Sequence, residues 1–97
     1  MSQTFAGKHV AVTGASRGIG AAIVNAFAQE GASLSLLSRN RAALESQSQK
    51  ALDSGASTSH VFAMDVGVQS SVSQAFSEAQ EALGPVDVLV NNAGAVE

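Results

Sequence analysis

The 97-residue sequence predicts an α/β fold in which a parallel sheet is joined by crossover helices. Three observations carry the prediction. Short runs rich in Val, Leu or Phe alternate with longer stretches whose apolar residues recur at helical spacing. Gly31, Gly55 and Gly84 each close one of the longer stretches, as glycine does at a helix C-terminus where the backbone turns left-handed. The first and last apolar runs are nearly continuous, as expected of strands covered on both faces. Alternating strands and helices of this kind build parallel sheets.

The elements follow in order. Residues 9–13, 33–38, 60–64 and 86–90 are short, apolar and bounded by Gly, Ser, Asp or Asn, and read as strands. Residues 18–30 place Ile19, Ala22, Ile23, Ala26 and Phe27 on one helical face, and 68–83 do so with Val68, Val72, Ala75, Phe76, Ala79 and Leu83. The stretch 40–54 offers only Leu44, Ala51 and Leu52 and reads as a more exposed helix. Right-handed crossovers put the first two helices on one face of the sheet and the third, which returns across the first strand, on the other. One helix cannot cover that face, and Val86-Asp87-Val88-Leu89-Val90 would form an apolar edge of the kind that promotes aggregation. As an isolated product the chain is expected to be marginal or adhesive. No linker or repeat divides it, so residues 1–97 are expected to form one domain.

Composition narrows the function. At 13%, charged residues are about half the usual share of ~25%. All five basic residues (Lys8, Arg17, Arg39, Arg41 and Lys50) lie in residues 1–50, and six of the eight acids lie beyond. Five scattered cations do not make the basic face that a nucleic acid requires, whereas a small phosphorylated ligand near the first half is compatible with them. The absence of cysteine excludes disulfides, thiolate zinc sites and a thiol nucleophile. His9 and His60 stand far apart with no carboxylate at ligand spacing, which points to structural histidines and no metal site. Met64 and Phe62 are expected in the core. The N-terminus lacks a signal peptide's charged start and apolar run, and no stretch reaches the ~18 apolar residues of a membrane span. The expectation is a cytoplasmic protein without nucleic-acid or membrane partners.

The most informative stretch is Val12-Thr13-Gly14-Ala15-Ser16-Arg17-Gly18-Ile19-Gly20, at the passage from the first strand to the first helix. There the backbone must turn sharply and leave its amides pointing outward. Gly14 allows the turn, Gly18 lets a phosphate approach the main chain, and Gly20 lets the helix pack closely on the strand; free N–H groups at the helix start bind the anion. Thr13 is placed to hydrogen-bond within the turn.

Thr-Gly-Ala-Ser-Arg-Gly-Ile-Gly resembles the cofactor motif of the short-chain dehydrogenase/reductase family. Asp65-Val66 after the third strand and Asn91-Asn92-Ala93-Gly94 after the fourth match two further motifs, so the resemblance spans residues 13–94 in the family's order. It implies a Rossmann-type sheet of order 3-2-1-4, truncated after the fourth strand. It also implies that Gly14, Ser16, Arg17, Gly18, Ile19 and Gly20 surround the phosphates of a nicotinamide dinucleotide, with Asp65 and Val66 bordering the adenine. Asn91, Ala93 and Gly94 would line the cofactor beside the central strands. Two simpler roles stay open at this point: Asp65 as a cap of the following helix, and Asn91 as a sheet-stabilising side chain.

Charge argues for NADP(H) over NAD(H). In folds of this kind an acid after the second strand accepts from the ribose 2′-hydroxyl of NAD, and an Arg there accommodates a 2′-phosphate. Here the second strand ends in Ser38-Arg39-Asn40-Arg41, with no acid between Glu30 and Glu45. Arg39 and Arg41 sit near a helix start, where the dipole disfavours cations, and Arg39 would be compensated by a bound phosphate with Arg17 as a second charge. The simpler alternative, solvated surface arginines, fits Arg41 better than Arg39.

The resemblance further implies a proton donor for the developing alkoxide: a Tyr with a Lys four residues later, and a Ser. None can be assigned, because the sequence has no Tyr and its lysines, Lys8 and Lys50, are preceded at that spacing by Thr4 and Ser46. Members of the family continue for more than a hundred residues past this point. The expectation is therefore the cofactor-binding half of an oxidoreductase that interconverts a carbonyl and an alcohol, with substrate pocket and oligomer interface outside the segment. The alternatives are a non-catalytic dinucleotide-binding module and a non-functional truncated product.

Overall fold

The structure, a computed structural model, describes residues 4–15 and 18–92. The elements alternate as β1 (His9–Thr13), α1 (Gly18–Gln29), β2 (Ser33–Ser38), α2 (Arg41–Ser54), β3 (Thr58–Ala63), α3 (Gln69–Leu83) and β4 (Val88–Asn91). The strands form one parallel sheet of order β3-β2-β1-β4, with Val10 opposite Leu34 and Val88, and Leu34 opposite Ser59. This is the Rossmann-type 3-2-1-4 arrangement that the sequence predicts. The three stop glycines all have positive φ, and Gly55 and Gly84 donate their N–H groups back to carbonyls of the helices they close.

Period-two alternation along the strands divides the core into two layers. Val10, Val12, Leu34 and Leu36 face α1 and α2 and pack with Val24, Ala28, Leu44 and Ala51. Ala11 and Leu37 face α3 and pack with Ala75, Met64 and the partly buried Phe62, Val72 and Phe76. Leu34, Leu36, Leu37 and Leu44 are fully buried, each worth about 2 kcal/mol of apolar transfer.

Several expectations are corrected. In α1 the sheet-facing residues are Gly20, Val24 and Ala28, with Ile23 and Phe27 partly buried, while Ile19, Ala22 and Ala26 are exposed. The helix is apolar nearly all round, and the close approach at Gly20 chooses its orientation. In α2 the inward positions are Leu44, Gln47, Ser48 and Ala51, and Leu52 is exposed. Small polar contacts replace apolar ones there: Ser48 Oγ lies 2.6 Å from Ser59 Oγ. β3 begins two residues earlier than the apolar run, because Thr58 and Ser59 pair with Ser33 and Leu34 of β2. His60 is therefore inside the strand, exposed and stacked on Phe62 at 6.4 Å.

β4 begins two residues later than its apolar run. The carboxylate of Asp87 accepts from His9 N–H at 2.9 Å and Asp87 N–H donates to the His9 carbonyl at 2.8 Å, so regular pairing starts only at Val88. Nor is β4 covered on both faces. Val88 and Val90 pack toward α1, but Leu89, opposite Ala11 on the other face, is 53% exposed because α3 lies over β3 and β2.

His9 is the structural histidine expected. It is buried, and Nδ1–H donates to the Gly84 carbonyl at 2.8 Å. Nε2 meets Ser35 Oγ at 2.7 Å, which fastens β1 to β2 and to the turn before β4.

Candidate functional site

All four strands run the same way, so their C-terminal ends form one rim of the sheet. Thr13 is in register with Leu37 on one side and Asn91 on the other, and Leu37 with Phe62. The residues that leave this rim stand in the order Asp65, Arg39, Gly14, Asn91, about 4.8 Å apart strand to strand. The chain progresses outward from β1 to β3 and then returns to the other side of β1 for β4. The rim between β1 and β4 is thus the switch point at which ligands bind in open α/β sheets.

The glycine turn lies there. Gly14 N–H donates to the Leu37 carbonyl at 2.8 Å, extending the ladder one residue past β1 before the chain turns with φ of 63°. A Cβ on Gly20 would come 2.0 Å from the Gly14 carbonyl oxygen and 2.9 Å from Asn92 Nδ2, so helix, turn and β4 converge on a point where no side chain fits. Gly18 is the opposite case: φ is 61°, and a Cβ there would meet none of the described residues within 4 Å. No described residue crowds the first residue of α1. The first N–H groups of α1 have no acceptor within the helix, and its first turn carries no acid to neutralise the positive end. A helix start of this chemistry fits a phosphate-bearing ligand.

β4 clamps the turn from the side. Thr13 Oγ1 accepts from Asn92 N–H at 2.9 Å and donates to Asn91 Oδ1 at 3.0 Å, while Asn92 Nδ2 donates to the Gly14 carbonyl at 3.1 Å. Asn91 therefore does stabilise the sheet through Thr13. Asn92 is the residue that sequence reasoning passes over: it stands in the motif, but nothing local reveals that its amide holds a turn 78 residues away. Ser16, Arg17, Ala93 and Gly94 lie outside the described residues.

On the other side of the turn, Arg39 is exposed and has no acidic partner among the described residues. Asn40 caps α2, its Oδ1 accepting from Ala43 N–H at 3.1 Å. Arg41 is drawn along the helix surface to Glu45, 3.8 Å away. At the end of β3, the Asp65 carboxylate does not cap α3, whose N-cap is Val68 without a side-chain bond. It accepts instead from Gly67 N–H at 2.9 Å. Two large apolar side chains are exposed on the same rim, Ile19 at 71% and Val66 at 55%.

Among the described residues the rim carries neither a tyrosine nor a lysine. Tyrosine is absent, Lys8 precedes β1 at the opposite rim, and Lys50 lies within α2. Among the described residues no cluster of His, Asp or Glu is arranged to hold a metal ion, and no helix is long and apolar enough to cross a membrane.

Known proteins share this arrangement. Residues 8–97 match the short chain dehydrogenase family. The chain is 40% identical over 91 residues to a ketoacyl reductase, HetN, of Nostoc sp., a match covering 94% of this chain and 31% of that protein. It is 39% identical over 90 residues to a glucose 1-dehydrogenase of Gluconobacter oxydans, covering 93% and 34%. A crystal structure of a metagenomic short-chain oxidoreductase in complex with NADP superposes with a TM-score of 0.88 at 34% identity, covering 95% of this chain and 41% of that one. L-Sorbose reductase from Gluconobacter frateurii, complexed with NADPH and L-sorbose, does so at 0.90 and 32%, covering 100% and 37%. The chain spans about a third of the length of the ketoacyl reductase and of the glucose 1-dehydrogenase.

Proposed function

The chain belongs to the short chain dehydrogenase family, and from that premise we propose that it is the cofactor-binding domain of an NADP(H)-dependent oxidoreductase interconverting a carbonyl and an alcohol. When bound, the nicotinamide supplies or takes up the hydride. The residues of this chain bind and orient it. Gly14, Ser16, Arg17, Gly18, Ile19 and Gly20 hold the phosphates at the start of α1. Asp65 and Val66 border the adenine, and Asn91, Ala93 and Gly94 line the cofactor beside β4.

The observation that carries the cofactor choice is Arg39. It is an exposed cation without an acidic partner among the described residues, directly after β2 and one strand away from the glycine turn. No acid stands at the end of β2 to accept from a 2′-hydroxyl. Two structural relatives at over 30% identity are complexes with NADP or NADPH, which supports the same reading. A charge-assisted contact to the 2′-phosphate favours NADPH over NADH about tenfold or more. Calorimetric titration of the protein with both cofactors tests this, together with Arg39→Asp, which is expected to reverse the order. Equal affinities, or an unchanged preference in Arg39→Asp, would overturn it.

Catalysis by the whole protein needs a proton donor that these 97 residues do not supply. The mass of the native protein and the reading frame after Glu97 test for a Ser and a Tyr-x-x-x-Lys. A native mass of 9.7 kDa would favour a nucleotide-binding module.

A further inference from the structure

Asp65 stands where the chain leaves the outer edge of the sheet for α3. The N–H before it, that of Met64, still faces β2 and donates to the Ser38 carbonyl at 2.9 Å. The backbone alternates, so Asp65 N–H faces outward, where the sheet ends and no strand can accept it. It donates to Ser71 Oγ at 3.0 Å. Ser71 is the third residue of α3 and reaches back past the helix's N-cap, Val68, to make this bond. The Asp65 carbonyl accepts from Val68 N–H at 3.0 Å, and its Oδ1 from Gly67 N–H at 2.9 Å. Backbone donor, backbone acceptor and one carboxylate oxygen are all engaged, which fixes the torsions of the residue. The other oxygen, Oδ2, accepts no hydrogen bond from the described residues.

We propose that Ser71 is a positioning residue for recognition of the cofactor's base: by holding Asp65 N–H it aims Asp65 Oδ2 at the exocyclic amino group of adenine. The proposal rests on the reading above that Asp65 borders the adenine. An ionised carboxylate only accepts hydrogen bonds. The 6-amino group of adenine donates to it, whereas the 6-oxo group of hypoxanthine presents lone pairs at the same place. A site built around a hydrogen bond rejects the analogue that cannot make it, provided the acceptor is held in place.

The test compares binding of NADPH and of reduced nicotinamide hypoxanthine dinucleotide phosphate to the protein and to Ser71→Ala, Ser71→Thr and Asp65→Asn. Because each ratio is taken within one variant, loss of folded protein cancels. The parent protein is expected to favour NADPH about tenfold or more. Ser71→Ala should bring that ratio to roughly threefold or less, Ser71→Thr should keep it, and the NADPH to NADH ratio should stay unchanged in both. If Asp65→Asn abolishes base discrimination while Ser71→Ala retains it, the role of Ser71 is refuted and the adenine reading stands. A parent protein that binds both dinucleotides equally overturns the adenine reading itself.

Discussion

Replacing Gly20 with alanine puts a methyl carbon 2.0 Å from the backbone oxygen of Gly14 and 2.9 Å from Asn92 Nδ2. Ordinary contact begins near 3.4 Å, so either the helix or the turn must move by more than 1 Å, and neither partner is a flexible chain end. Overpacking of this severity costs about 3 kcal/mol. Displacing the Asn92 amide from the Gly14 carbonyl adds about 1 kcal/mol for the lost hydrogen bond. Alanine's better helix propensity returns about 1 kcal/mol. The net expectation is a loss of about 3 kcal/mol, which in a domain of this size lowers Tm by more than about 10 °C. Thermal and urea denaturation without cofactor measure it, which separates packing from ligand binding. Were the apposition of α1 and the turn looser, the propensity gain alone would remain. Gly20→Ala with an unchanged or raised Tm would refute the close approach on which the site geometry depends.

Other perturbations read separate parts of the fold. His9→Ala leaves the fully buried Ser35 hydroxyl and the Gly84 carbonyl unpaired and opens a cavity, for an expected loss of about 3 kcal/mol. Because one contact is shared, His9→Ala combined with Ser35→Ala should cost measurably less than the two separately, as a double-mutant cycle in urea will show. At the helix starts the effects should have opposite signs. Asn40→Ala removes the cap of α2 and should cost about 1 kcal/mol. Val68→Ser gives α3 the side-chain cap it lacks, a gain of about 1 kcal/mol offset in part by the apolar surface that Val68, 45% exposed, still buries; a lowered Tm would count against the capping argument.

The rim of the sheet shows which parts of a binding site a sequence can reveal. Gly14, Gly18 and Gly20 are legible because their constraint is local: a turn, an approach and a helix contact within seven residues. Arg39 is legible through an absence, that of any acid at the end of β2. Asn92 and Ser71 are not. Asn92 acts through hydrogen bonds to Thr13 and Gly14, which only the assembled sheet brings near it, Ser71 through one bond to Asp65 across the connection from β3 to α3, and neither residue type carries a pattern of its own.

The same division holds for the fold. The sequence by itself determined the order of elements, their ends at Gly31, Gly55 and Gly84, and the parallel sheet, because backbone sterics, helical period and crossover handedness act over short stretches or follow from chirality. Only the tertiary structure decided which face of the nearly uniformly apolar α1 turns inward, since the contact between Gly20 and Gly14 selects it. It also decided where β3 and β4 begin. A strand's limits are set by its neighbour's free N–H and C=O groups, so Thr58 joins β2 although it is polar, and Val86 stays out because Asp87 takes its place beside His9.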